Sequence, residues 1–141
     1  NSLISNDVNS ILEDTKGNLW FATNNGISFW SVSTNQWKHF YVNEKAQAQV
    51  FLTLYEDDRG RIWAGSFASG VYILDRDSGL ELHHYTSSTP NAPFDNNFVF
   101  NIVEDRSGEI WIIGVEGEIV RYNPEKEEFK RYWKQPVYVI E

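Results

Sequence analysis

The sequence contains no cysteine and no methionine. Without cysteine, the chain of 141 residues has no disulfide framework, no thiolate metal site and no cysteine nucleophile. Basic residues are scarce, since 12 Lys and Arg stand against 20 Asp and Glu and leave a formal net charge of −8. A surface of this charge repels phosphate backbones and anionic membranes, so we expect no nucleic-acid partner and no membrane contact from this segment.

Long apolar runs and a targeting signal are absent as well. No stretch approaches the roughly 18 apolar residues that cross a bilayer. The opening residues, NSLISNDVNS, lack the charged-then-apolar order of a signal peptide. Because the chain starts at Asn1 and has no Met, we expect it to be a piece of a longer protein.

The composition that is present indicates a packed globular chain. Hydrophobic residues make up 41 % of the sequence and aromatic residues 16 %, with six Trp among them. This share is too high for a disordered segment. The length corresponds to about one domain.

One phrase is written three times along the chain, as EDTKGNLW at 13–20, EDDRGRIW at 56–63 and EDRSGEIW at 104–111. The three tryptophans of the phrase are 43 and 48 residues apart, and periods of this size are typical of propellers and solenoids. Each copy holds four short apolar runs separated by Gly, Asn, Asp and Ser, which indicates strands and hairpins. Four strands per copy predict a propeller blade. The predicted fold is therefore all-β, with three four-stranded antiparallel blades.

The repeated phrase has a structural role in this interpretation. The aspartate of each copy is expected to accept hydrogen bonds from backbone amides ahead of it, and the glycine to supply the positive φ of the turn. The tryptophan that follows starts an inner strand and is expected to fill the gap against a neighbouring sheet. The residues concerned are Asp14, Gly17 and Trp20, Asp57, Gly60 and Trp63, and Asp105, Gly108 and Trp111. Direct ligand contacts by the three Asp–Trp pairs are the alternative.

The fourth run of each copy has a basic pair between two larger side chains. The runs are WKHF from 37, LHHY from 82 and FKRY from 129, with Leu82 in the first aromatic place of the second copy. Cationic side chains on an outer edge strand discourage another chain from pairing with it. A basic rim for an anionic ligand is the alternative.

No catalytic or metal-binding constellation stands out. The sequence has no glycine-rich phosphate loop, no pair of histidines beside a glutamate and no nucleophile elbow. His83 and His84 are adjacent, so they point to opposite faces of a strand and do not chelate one metal together. We therefore predict no catalytic residues, no metal and no cofactor.

Ligand binding is predicted at one end of the blades. There the loops between second and third strands gather with the connections between blades, residues 42–49 (VNEKAQAQ) and 86–97 (TSSTPNAPFDNN). Neutral amides, hydroxyls and an aromatic plate suit a sugar, which offers hydroxyls and an apolar ring face. The candidate residues are Asn24, Asn25, Phe67, Ser69, Phe94 and Glu116, with Phe67 and Phe94 as the stacking plates. Ordinary hairpin turns and an ordinary loop are the alternative for each of them.

The repeat also resembles a known family. LISNDVNSILEDTKGNLWFATNNG at 3–26, LYEDDRGRIWAGSFASGVYIL at 54–74 and IVEDRSGEIWIIGVEGEIVRY at 102–122 are similar to the two-component regulator propeller repeat. The sequence departs from that repeat through one extra residue before Gly70, the insertion at 86–97, and Gly114 where Thr is usual.

This resemblance implies the periplasmic sensor region of a hybrid two-component regulator of the Bacteroides type. Such a region senses a ligand, typically an oligosaccharide, and signals through a membrane helix to a histidine kinase. A non-catalytic scaffold or dimerisation propeller is the alternative function, and a propeller enzyme that degrades polysaccharides is a third.

Three blades do not close a ring, because propellers close with about four to eight. We place blade 1 at about 3–44, blade 2 at about 46–88, blade 3 at about 96–134 and a tail at 135–141. The first and last blades should each expose an apolar face, which is an association surface. We expect these faces to meet other blades of a parent chain or a second copy of this chain.

Overall fold

Twelve short β-strands form three four-stranded antiparallel sheets in the computed structural model, which describes residues 2–41, 49–91 and 94–133. The first sheet contains β1 (Val8–Glu13), β2 (Leu19–Thr23), β3 (Gly26–Ser31) and β4 (Gln36–Phe40). The second contains β5 (Phe51–Glu56), β6 (Arg61–Ser66), β7 (Val71–Asp75) and β8 (Glu81–Tyr85). The third contains β9 (Val99–Glu104), β10 (Ile110–Gly114), β11 (Ile119–Asn123) and β12 (Glu128–Trp133). The prediction of an all-β chain with three four-stranded blades is confirmed.

The strands of each sheet lie in chain order, from an inner first strand to an outer fourth strand. Successive sheets meet through their inner strands, since β5 contacts β1 and β2, and β9 contacts β5 and β6. This arrangement is a fan of propeller blades. The predicted tail and most of the predicted connection at 42–49 lie outside the described residues.

The repeated Asp-x-x-Gly turn joins the first two strands of every blade. In the second blade, Asp57 Oδ1 accepts the backbone N–H groups of Arg59 and Arg61, each at 2.9 Å, and Gly60 has a φ of 75°. The other two copies repeat this pattern with Asp14 and Asp105. The predicted roles of the aspartate and the glycine are confirmed.

The second oxygen of each aspartate makes a contact that the sequence interpretation did not include. It accepts the indole N–H of the tryptophan six residues later, at 3.0 Å for Trp20 and at 2.8 Å for both Trp63 and Trp111. The sequence signal for this contact was the spacing of six residues between aspartate and tryptophan, which recurs in all three copies. The Ser107 hydroxyl and the Trp111 indole, which both donate to Asp105, lower the pKa of its carboxyl to about 2.

The hydrophobic core lies in the two seams between blades. Trp20 packs in the first seam among side chains of blade 2 such as Phe51 and Ile62. Trp63 packs in the second seam against blade 3, where the Tyr122 ring lies edge-on with its centroid 5.1 Å away. Each tryptophan thus covers the face that its blade turns towards the next one, as predicted for an inner strand.

The two end blades leave matching faces open. Ile11, Leu54 and Ile102 occupy equivalent places, each paired with the residue after the tryptophan of its blade. Leu54 is 8 % exposed and Ile102 2 % exposed because the preceding blade covers them, whereas Ile11 is 62 % exposed. At the other end Trp111 is only partly buried, and the Arg121 guanidinium lies 5.6 Å from its ring centroid.

The Asp57 carboxylate holds four donors, so we expect Asp57→Ala to destabilise the fold strongly. Its second oxygen accepts both the Trp63 indole and the Arg61 Nε, each at 2.8 Å. Removing it leaves a largely buried charge and a buried indole N–H without their acceptor, which costs about 3 to 5 kcal/mol of unfolding free energy. Urea unfolding measures the change. The matched control is Asp58→Ala in the same turn, where an exposed side chain changes the free energy by about 0.5 kcal/mol or less; equal losses would contradict the assignment.

Candidate functional site

The loops between second and third strands meet the connections between blades at one end of the fan. The Gly26 N–H donates to the Gln49 carbonyl at 2.7 Å, and the Phe67 N–H donates to the Val50 carbonyl at 2.9 Å. In the next seam the Gly70 N–H donates to the Asn97 carbonyl at 2.8 Å. The loops between second and third strands are therefore tied to the segments that connect the blades, which is the arrangement that the sequence interpretation assumed.

A hydroxyl at the end of the second strand shapes the loop in the first two blades. Thr23 Oγ1 donates to the Gly26 carbonyl at 2.8 Å and accepts the Asn25 N–H at 3.0 Å. Ser66 does the same in blade 2, where it accepts the Ser69 N–H at 2.9 Å. These bonds build two similar rigid loops, which places Asn25 and Ser69 at corresponding turns.

The third blade lacks this hydroxyl and builds its loop differently. Gly114 stands in the place of Thr23 and Ser66, and a side chain there would collide with the Phe98 carbonyl, 2.8 Å from the position of a Cβ. Glu118 occupies the place of the glycines that open the third strand in the other blades. Gly114 and Glu118 occur together in blade 3, and both allow the insertion at 86–97 to lie close to the sheet.

The Glu118 side chain holds the insertion by accepting hydrogen bonds from it. Its side chain is buried, and its carboxylate oxygens accept the Asp95 N–H, each at 3.2 Å, and the Asn96 Nδ2 at 3.2 Å. Arg131 forms an ion pair with Asp95 on the outside. The sequence interpretation missed Glu118. The available signal was an acidic residue where both other copies have glycine.

Phe67 carries an exposed aromatic ring at this end of the molecule. Its side chain is 51 % exposed, and its ring meets the Phe98 ring edge-on at 4.7 Å between centroids. Ala68, which follows it, has a φ of 82° and so turns the chain sharply beside the ring. The two phenylalanines come from different blades, so the pair spans the second seam.

Phe94 is buried, whereas the sequence interpretation predicted an exposed stacking plate. It is 7 % exposed and belongs to the core of the second seam, where its ring meets the Phe129 ring edge-on at 5.5 Å. A ring buried in this way offers no face for a sugar to stack on. The insertion at 86–97 therefore uses its aromatic residue to anchor itself to the core.

The remaining candidates lie in turns. Asn24 is exposed, and its Oδ1 accepts Asn9 Nδ2 at 2.8 Å, which also donates to the Phe51 carbonyl. Asn25 forms a backbone bridge with Gln49. Glu116 is exposed at a φ of 56° in the turn before β11.

The contacts of Phe67 and Ser69 are with residues outside the candidate set. Phe67 meets Phe98, and Ser69 accepts His84 Nε2 on its carbonyl at 2.6 Å. Among the described residues, no direct contact joins Asn24, Phe67 and Glu116, which stand at the same end of three successive blades. Within the same residues, no group of three or more His, Asp or Glu side chains is placed to hold a metal ion.

A family profile matches the three repeats. The profile described as two component regulator propeller matches residues 2–25, 46–68 and 93–115. No curated protein sequence matches the chain significantly.

Solved structures with the same fold include extracellular domains from B. thetaiotaomicron. The domain of the hybrid two component system BT3049 is 34 % identical with a TM-score of 0.74, over 92 % of this chain and 17 % of that chain. The domain of the one component system BT4673 is 22 % identical with a TM-score of 0.77, over 92 % of this chain and 19 % of that chain. The WD40 β-propeller domain of Doa1 is 18 % identical with a TM-score of 0.64, over 92 % of this chain and 41 % of that chain. The chain thus spans less than half the length of each.

Truncating the two candidate plates should cost very different amounts of unfolding free energy. Phe94→Ala removes a buried ring and is expected to cost about 3 to 5 kcal/mol of unfolding free energy. Phe67→Ala removes a half-exposed ring with one edge-to-face contact and is expected to cost at most about 1.5 kcal/mol. Thermal or urea unfolding of the two variants checks the difference. Similar losses in both would contradict the described environments.

Proposed function

The chain belongs to the two-component regulator propeller family, and on this premise we propose that it forms part of the ligand-sensing propeller of a hybrid two-component regulator. The sensor recognises an oligosaccharide and signals to a histidine kinase in the parent protein. The 34 % identity to an extracellular domain of a hybrid two component system supports this role. The same similarity supports an extracytoplasmic, periplasmic location. The described residues contain no helix with the length and apolar character of a membrane span.

The exposed Phe67 ring is the observation that carries the binding proposal. Phe67 and Phe98 present an aromatic pair across the second seam, held by backbone bonds on both sides. A sugar ring packs its apolar face on such a ring while its hydroxyls bond to nearby polar groups. The Ser69 and Asn97 side chains belong to the segments that carry this pair, and Glu116 belongs to the corresponding loop of blade 3.

Recognition without catalysis is the reaction class that these residues favour. The repeated aspartates, which are the most prominent carboxylates of the sequence, are occupied by backbone amides and indoles. Asp105 has a pKa near 2 and is therefore a poor general acid or base at neutral pH. We propose that the segment binds its ligand and leaves it unchanged.

Calorimetric titration of the protein with a panel of glycan fragments tests this function. We expect one fragment class to bind, and Phe67→Ala to weaken that binding by about tenfold or more, which is 1.4 kcal/mol. Val32→Ala is the control, because Val32 is similarly exposed in the turn at the opposite end of blade 1. Product analysis after incubation with the same glycans separates binding from degradation. No binding across a broad panel would contradict the sensor role.

A scaffold function is the second candidate, and the open end faces support it. Ile11 is exposed on the first blade at a place that the preceding blade buries in the other two. Val103 is 42 % exposed beside Trp111 on the last blade. We propose that each of these faces is covered by another blade of the same repeat type.

Light scattering during size-exclusion chromatography tests the covering of the end faces. The 141-residue chain is expected to self-associate, because two apolar faces are otherwise left in water. Ile11→Lys and Val103→Lys should each reduce the association by placing a charge in the contact. Val32→Lys, at an exposed turn, is the matched control and should leave it unchanged. A compact monomer at all concentrations would contradict the proposal.

A further inference from the structure

A groove of about 370 Å³ opens in the outer part of the first seam, between β3–β4 of blade 1 and the β7–β8 turn of blade 2. Trp20 and Ile27 form its floor, and Phe29, Phe40 and Leu80 form apolar walls. Its volume lies at the lower end of the range for small-molecule pockets, about 300 to 1,000 Å³. The turn that lines it is at the opposite end of the blade from Phe67, so the groove is separate from the site described above.

The second seam shows what fits at this place. There Phe129 of blade 3 inserts its ring against Tyr85 of blade 2, edge-to-face with centroids 4.7 Å apart. It also contacts the Tyr122 ring at 4.8 Å. Phe40 is the equivalent of Tyr85, since each is paired with the residue after the glycine that opens the third strand. In the first seam Phe40 meets the Tyr72 and Phe51 rings of blade 2, at 5.7 and 6.2 Å between centroids, but, among the described residues, no ring from β8. The space that such a ring would fill is the groove.

Strand register explains why the first seam is open. Phe129 is opposite Tyr122 in the outer hairpin of blade 3, whereas the equivalent pair in blade 2 is Glu81 opposite Leu74. A register shift between Ile73 and Leu74 puts Leu82 out of line. The sequence interpretation set Leu82 in the aromatic place, and the structure puts Glu81 there instead. A carboxylate thus replaces the ring, and Leu82 is left 46 % exposed.

One cation and one anion line the groove without forming an ion pair. Lys38 on blade 1 and Glu81 on blade 2 both line the groove, and among the described residues the side chain of neither makes a hydrogen bond or an ion pair. The neighbouring charges are occupied, since Arg76 pairs with Glu56 at 3.3 Å and Lys16 pairs with Asp77. The groove therefore combines an apolar, aromatic lining with two charges of opposite sign on its two walls.

We propose that this groove binds a free aromatic amino acid. The ring of the ligand takes the place that Phe129 fills in the second seam, edge-on to Phe40. The α-ammonium group bonds to the Glu81 carboxylate, and the α-carboxylate bonds to the Lys38 ammonium. This site acts independently of the proposed glycan site, because the two share no residue.

Titration calorimetry with L-phenylalanine, L-tyrosine and L-tryptophan tests the proposal. Saturable binding of at least one of them is expected. 3-Phenylpropionate lacks the ammonium group, phenethylamine lacks the carboxylate and L-leucine lacks the aromatic ring. Each is expected to bind at least about tenfold more weakly, which is a loss of 1.4 kcal/mol or more. Equal binding of L-leucine would overturn the aromatic assignment, and no saturable binding of any aromatic amino acid would overturn the site.

Glu81→Phe is the decisive variant, because it supplies the missing ring from within the chain. It should abolish amino-acid binding while the unfolding temperature stays unchanged or rises. Leu82→Phe places the same ring at the exposed neighbouring position and should leave binding intact. Lys38→Met, which keeps the length of the side chain and removes its charge, should weaken binding without unfolding the blade. Binding that survives both Glu81→Phe and Lys38→Met would overturn the proposal. Glycan binding at the Phe67 loops should be unaffected by either.

Discussion

One aspartate carboxylate in each blade fixes both a turn and a seam. One of its oxygens accepts two backbone amides of the hairpin, and the other accepts the indole N–H of the tryptophan six residues later. The hairpin conformation and the position of the largest core side chain are therefore set by the same charged group. A buried carboxylate is tolerated because its lone pairs are met by N–H donors. The rest of the fan depends on this unit, since the indoles of the first two blades, Trp20 and Trp63, provide the surface on which the next blade packs.

Where the three blades differ, the cause is a replacement at an equivalent position. Glu118 stands where Gly26 and Gly70 stand, and it accepts donors from the inserted segment instead of leaving room for the outer strand. Glu81 stands where Phe129 stands, and the seam beside it is open. Both changes put a carboxylate into a place that the repeat fills with a small or an apolar group. The residues that follow the repeat build the blades, whereas Glu118 and Glu81, which depart from it, provide polar groups that can bind other segments or ligands.

The sequence was sufficient to predict the blades, because local patterns determine them. Alternating apolar runs, the Asp–Gly turns and the tryptophan of each second strand are all short-range features, and each recurs three times. The environments of Phe94, Glu118 and Glu81 depend on contacts between distant segments. An aromatic residue in a polar insertion suggests exposure, yet Phe94 turns into the core because the second seam has room for its ring. The outer hairpin of blade 3 shifts its register at a different place, between Ile119 and Val120, so aligning the copies put Leu82 one place out of line.

In every blade the tryptophan lies on the same face, the one on the side of the following blade, so the fan has two chemically different ends. The end face that carries Ile11 is complementary to the end face that carries Trp111, and neither face is complementary to a second copy of itself. Contacts between such ends are heterologous. Copies joined in this way form a closed ring only if the rotation from blade to blade divides a full turn evenly; otherwise they continue as an open spiral. Small changes in the twist between blades therefore decide between a finite particle and a fibre.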